Sequence, residues 1–98
     1  MDKKERYLVS GRVVLRRIGE DVLLVPVSGP AATGGGRVYP LNETARTIWE
    51  RLVAGCTIPL IVDEFVSAYD VSRDQARMDV DACIDTFLSE GLLERAEA

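Results

Sequence analysis

The sequence predicts an α+β domain, a small winged helix-turn-helix in which a three-stranded antiparallel sheet precedes three helices. Three observations carry this. The strand-like runs all lie before residue 42 and the helical stripes all lie after it, so strands and helices are segregated along the chain. A short β-rich run passes directly into a capped amphipathic helix at 38–52, VYPLNETARTIWERL. The chain has 98 residues and 47% hydrophobic content, which suits one core and argues against disorder.

The first strand is expected at residues 12–18 (RVVLRRI) and the second at 21–27 (DVLLVPV), both rich in β-branched residues and divided by a Gly-containing break, as in a hairpin. Pro26 removes a ladder donor, so it should face an unpaired direction or a strand end. Residues 28–36 (SGPAATGGG) hold four Gly and one Pro and are expected to form a mobile, exposed loop. Neither a following Lys-Ser/Thr nor a helix start accompanies these glycines, so a phosphate cradle is not supported. The third strand spans 37–41, and Pro40 near its end marks it as an edge.

Asn42 is a suitable N-cap for the first helix, with Ala45, Ile48, Trp49, Leu52 and Val53 as one apolar stripe and Gly55 as its stop. Thr57 is placed to cap the second helix, with Pro59 tolerated in the first turn and Ile61, Val62, Phe65, Val66 and Tyr69 as the buried face. A turn at 69–72 leads to the third helix, where Ser72 and Gln75 have capping-box spacing. Its stripe is Ala76, Val80, Cys83, Ile84, Phe87 and Leu88, and Gly91 ends it. Leu92 and Leu93 are expected to fold back onto the core as a short extended tail. The domain is therefore set at 12–94, with a flexible basic arm at 1–11 and a tail at 95–98.

The chain contains no histidine, which removes the usual neutral-pH base, the commonest metal ligand and every Ser-His or Cys-His pair. Cys56 and Cys83 lack zinc or CxxC spacing and read as small buried hydrophobes. Asp81 and Asp85 lie one helical turn apart, but nothing else converges on them, so they read as a solvated acidic face. No catalytic residue, metal site or cofactor is expected. No apolar run is long enough to span a bilayer and the N-terminal segment lacks an apolar h-region, so the expected location is cytoplasmic, away from membranes.

The net charge of −4 is unevenly spread: residues 1–17 carry six basic against two acidic side chains, leaving −8 for the remainder. The third helix has two arginines against Asp74, Asp79, Asp81, Asp85 and Glu90. Phosphates would be repelled there, so no nucleic-acid partner is expected, although the fold class keeps a winged-helix nucleic-acid-binding regulator as the alternative. The feature that remains is the short third strand, whose free N–H and C=O groups could take up an extended peptide. An open edge also permits pairing between two copies, so a homodimer through that strand is compatible with the sequence.

The segments LNETARTIWERL at 41–52, Thr57 at the next helix start, AYDVSRDQARMDV at 68–80 and FLSEGLL at 87–93 resemble the pyrroloquinoline quinone biosynthesis protein D (PqqD) family over most of 12–94. The resemblance implies a peptide chaperone, or recognition element for ribosomally made and later modified peptides. Such a protein binds the leader segment of a precursor peptide as a strand added to its third strand, against its third helix. It then presents the peptide to a modifying enzyme, often a radical SAM/SPASM-type protein, and performs no chemistry itself. By position, the resemblance implies peptide contacts at Arg37, Val38 and Tyr39 on the strand and at Arg77, Asp81, Ile84 and Leu88 on the helix. The opposite flank of that helix (Gln75, Asp79, Ala82, Thr86) is the open alternative.

Overall fold

A computed structural model describes residues 6–32 and 37–96. The strands are β1 (Tyr7–Val9), β2 (Arg12–Ile18), β3 (Asp21–Ser28), β4 (Tyr39–Leu41) and β5 (Leu93–Arg95). The helices α1 (Glu43–Val53), α2 (Ile58–Ala68) and α3 (Arg73–Ser89) lie between β4 and β5. The main sheet is antiparallel in the order β2-β3-β4, and it is followed by the three helices, as the sequence predicts.

The β2–β3 hairpin turns at Gly19 and Glu20, with Ile18 opposite Asp21. Gly19 has φ +63°, which suits a two-residue hairpin turn. Along β3, Val22, Leu24 and Pro26 are buried while their neighbours are more exposed, the period-two signature of a strand with one face on a core. Tyr39 and Leu41 pair with Leu24 and Val22 and continue that inner face into β4.

The helices follow from their caps and stripes. The Asn42 side chain accepts from the Ala45 N–H at 2.8 Å, satisfying a first-turn donor. Ser72 accepts from the Gln75 N–H at 3.1 Å, but the Gln75 side chain reaches forward to Asp79, so only half of the capping box forms. Thr57 holds the N-cap position of α2 without a side-chain cap hydrogen bond, and Pro59 lies in the first turn. Ile48, Trp49 and Leu52 of α1, Ile61, Val62 and Phe65 of α2, and Val80, Ile84 and Phe87 of α3 converge in one core with Leu24. Trp49 and Phe87 meet edge to face with ring centroids 5.1 Å apart, an arrangement worth about 1 kcal/mol beyond burial. Val53, Val66 and Tyr69, expected on buried stripes, sit at their edges and are exposed.

Three expectations are corrected. The N-terminal arm set at 1–11 is ordered from Tyr7: β1 pairs antiparallel with β5, and the Ser10 N–H donates to the Leu92 carbonyl at 3.0 Å. The tail set at 95–98 therefore begins inside β5, whose Arg95 stands opposite Tyr7; residues 1–5 and 97–98 lie outside the described residues. The segment at 28–36 is not wholly loop. Ser28 ends β3, and Pro30–Ala32 forms a 3-10 turn that buries Ala31 in the core. Residues 33–36 lie outside the described residues.

Candidate functional site

The sequence places the third strand at 37–41, whereas β4 contains only Tyr39–Leu41. Hydrogen-bond parity explains the shorter strand. Ile18 and Asp21 flank a two-residue turn and so form a hydrogen-bonded pair. Alternation then directs the backbone groups of Val22, Leu24 and Pro26 toward β4. Extending the β3–β4 register past Tyr39 would set Arg37 opposite Pro26, which has no N–H to give. The ladder stops two pairs before that position, leaving Arg37 and Val38 as the lead-in rather than as part of the strand.

The same parity sets the outer edge. Tyr39 and Leu41 spend their backbone groups on β3, so Val38 and Pro40 face outward. Val38 offers an N–H and a C=O, and Pro40 offers only a C=O. No strand covers this edge among the described residues. Tyr39 packs its ring against the core, Val38 is 48% exposed, and the Arg37 guanidinium lies 5.7 Å from the Tyr39 ring centroid.

Helix α3 is tied to this lead-in by an ion pair between Arg37 and Glu90 at 3.8 Å. Glu90 caps α3 with helical backbone angles, so its row runs back through Thr86, Cys83 and Asp79 to Gln75 at spacings of three and four. The opposite row contains Arg73, Arg77, Asp81, Ile84 and Leu88. Arg73 at its start forms an ion pair with Asp63 of α2, which turns that row toward α2. Arg77 and Asp81 are bonded to one another along that row, with Arg77 Nε 3.0 and 3.1 Å from the two carboxylate oxygens. Ile84 is 2% exposed and belongs to the core, and Leu88 is half-buried against it. The Arg37–Glu90 pair thus brings the lead-in of β4 to the C-terminal end of α3 on its Glu90 flank.

Two residues of this flank escaped the sequence reading, Glu90 and Cys83. Glu90 lies beyond the last stripe residue and pairs with a residue far away in sequence. Cys83 was read as core, yet it is only half-buried, at the margin between the stripe and the Glu90 row. Burial pushes its thiol up to about 11, so at neutral pH it presents a neutral, weakly polar surface. The Thr86 hydroxyl donates to the Ala82 carbonyl at 3.2 Å, which leaves its methyl as the outward group. Of the two carboxylates read from sequence as a solvated acidic face, Asp81 accepts from Arg77. Among the described residues no group of three or more His, Cys, Asp or Glu side chains is placed to hold a metal ion, and no helix is long and apolar enough to cross a membrane.

An edge strand with a mixed apolar and weakly polar helical flank beside it can recognise an extended chain by backbone pairing and by pockets for alternate side chains. Solved structures with this fold include a lasso peptide synthetase B1 complexed with the leader peptide, at 21% identity and a TM-score of 0.76, covering 91% of this chain and 98% of that one. Another is TbiB1 in complex with the TbiA(beta) leader peptide, at 27% identity and a TM-score of 0.74, covering 92% of this chain and 96% of that one. No curated protein matches the chain significantly. The family model for coenzyme PQQ synthesis protein D matches residues 20–93, which run from the β2–β3 turn through all three helices to the first residue of β5, and the chain belongs to the PqqD family.

Proposed function

We propose that this protein is a non-catalytic recognition element that binds the leader segment of a ribosomally made precursor peptide. The leader adds as a strand to the outer edge of β4, against the Glu90 flank of α3. The observation that carries the reading is the uncovered edge of β4 with α3 tied beside it through Arg37 and Glu90. The similarity to two proteins captured with leader peptides supports the ligand class.

In this reading the peptide backbone exchanges hydrogen bonds with Val38 and donates to the Pro40 carbonyl. Its alternate side chains rest on Tyr39, Cys83 and Thr86, while Asp79 and Glu90 select for basic or polar groups at the rim. The protein holds the leader and leaves the remainder of the precursor to a modifying enzyme in the cytoplasm, a radical SAM/SPASM-type protein by resemblance to the family. No step of bond making is assigned to this chain.

The test is a titration of the leader peptide of a candidate precursor into isotope-labelled protein. Amide shifts should concentrate at residues 37–41 and at Asp79, Cys83, Thr86 and Glu90. Shifts confined to the Arg77–Asp81 row would return the groove to the flank first inferred from sequence, and an unchanged spectrum at millimolar peptide would overturn the reading. Modification of the precursor by its enzyme, run with and without this protein, separates presentation from binding alone.

A further inference from the structure

The main sheet has a second uncovered edge. Among the described residues, strand β2 pairs only with β3. By the hairpin parity, the backbone groups of Val13, Leu15 and Arg17 point away from β3. Each of the three offers an N–H and a C=O, so this edge holds more backbone capacity than β4, where Pro40 lacks a donor. An open cleft of about 300 Å³ lies beside it, lined by Val9, Val13, Leu15, Trp49, Glu50 and Val53. Val53 is 55% exposed on the α1 wall. Glu50, the one charged lining residue, is held by Arg46 at 3.3 Å.

Along the same strand stand Arg12, Arg16 and Arg17, all exposed and none in an ion pair among the described residues. Arginines on an edge guard against indiscriminate pairing, which accounts for their charge. It does not account for an apolar cleft directly behind them. Antiparallel pairing of two β2 strands would crowd like charges across the seam, which disfavours a second copy of this chain as the occupant.

We propose that the β2 edge and its cleft form a second docking site, taking an extended acidic segment of a partner protein. The segment adds to β2 as an antiparallel strand. Acidic side chains stand opposite Arg17, Arg16 and Arg12, and apolar ones opposite Leu15 and Val13 enter the cleft toward Trp49. Nucleic acid supplies charge but no strand backbone. Because β2 and β4 are opposite edges of one sheet, this site and the proposed leader site can be filled together.

The register specifies a probe, the acetylated and amidated peptide Glu-Glu-Val-Thr-Val-Glu, read antiparallel from Arg17 to Arg12. Trp49 is the only tryptophan, so its emission reports the cleft directly. Binding should change that emission saturably and shift the amides of Val13, Leu15 and Arg17, while those of Tyr39 and Leu41 stay in place. The Arg16→Glu/Arg17→Glu variant should bind about tenfold more weakly or worse. Val53→Glu, at an exposed position that leaves the core intact, should do the same. A Lys-Lys-Val-Thr-Val-Lys peptide should not bind. The proposal is overturned by unchanged emission up to about 1 mM peptide, by equal binding of the basic peptide, by shifts at β4 instead of β2, or by competition from a single-stranded oligonucleotide. Apart from shifts at β4, these outcomes do not bear on leader binding at that edge.

Discussion

Replacing Val38 by proline tests the leader site through the backbone alone. Parity places the Val38 N–H on the outer side of β4, outside the β3–β4 pairing that Tyr39 and Leu41 complete. Proline removes that donor and fixes a φ compatible with extended chain, and its restriction on Arg37 also favours extended backbone. Val38 makes no ladder pair and is half exposed, so the fold should be indifferent to the change. The complex loses one backbone hydrogen bond, worth about 1 kcal/mol net, since solvent can still reach the peptide carbonyl left behind. That amounts to roughly fivefold in Kd. Val38→Ala, which keeps the N–H, separates the donor from the side chain. Calorimetric titration of the leader peptide into the wild type and both variants, with melting curves alongside, measures each part. Val38→Pro binding as tightly as Val38→Ala, with both folded, would refute the assignment of Val38 to the outward row.

The ion pair at the mouth of the groove gives a charge-swap test: Arg37→Glu or Glu90→Arg alone should weaken leader binding a few-fold, and the double variant should recover part of the loss. No recovery would mean that the two residues act separately. The Cys83 thiol, held near 11 by burial, should alkylate with a rate that climbs about tenfold per pH unit between pH 8 and 10 and falls when leader peptide is bound. A plateau below pH 9 would contradict the burial assigned to it. The same raised pKa means that the folded chain holds this proton more tightly than the unfolded chain, whose thiol titrates near 9.0. Its contribution to stability is therefore complete below pH 9 and is lost as pH rises toward 11, a trend that denaturant melts at pH 8 and 10.5 should register. Gly11→Ala should cost at least about 2 kcal/mol in urea unfolding, because φ is +78° and an added Cβ would lie 2.4 Å from the Ser28 carbonyl oxygen. A smaller loss would show that the β1–β2 and β3 ends can separate without penalty.

Helices were the legible part of this chain because their determinants are local. Asn42 and Ser72 cap where their side chains reach only three residues ahead, and the stripe around Trp49 follows from spacing within one helix. What was not legible depended on residues distant in sequence. The β1–β5 pair joins two three-residue strands from opposite ends of the chain, too short to show alternation and stabilised only once both termini meet the core. The start of β4 is set by Pro26 in another strand, so residues 37 and 38 look as strand-like as residue 39 when read alone. On α3, the wheel puts Ile84 and Leu88 on an apolar extension of the stripe, which reads equally well as a groove wall and as a contact with α2. The ion pairs that favour the Glu90 flank both join residues distant in sequence: Arg73 meets Asp63 on one side of the helix, and Glu90 meets Arg37 on the other.

Pro26 and Pro40 look interchangeable in sequence, two prolines near strand ends, yet parity gives them different consequences. Pro26 directs its missing donor at β4 and shortens the ladder inside the sheet, which frees Arg37 and Val38 from β3. Pro40 directs its missing donor outward and thins the edge that a partner would meet. Together they leave β4 and its lead-in with one complete outward residue, Val38, followed by a lone carbonyl at Pro40. A long, fully equipped edge accepts many strands in many registers, which is the hazard of exposed sheets. An edge with a single donor accepts one register well, because sliding the incoming strand by two residues moves its carbonyl from the Val38 N–H to a proline that cannot donate. At the proposed leader site, selectivity then comes from a shortage of backbone groups, with α3 as the proposed source of the side-chain contacts that a short ladder lacks. On β2, where every outward residue keeps its N–H, the same protection against wrong partners falls to the arginines. As proposed, the two edges of one small sheet restrict their partners by different physical means, register on one side and charge on the other.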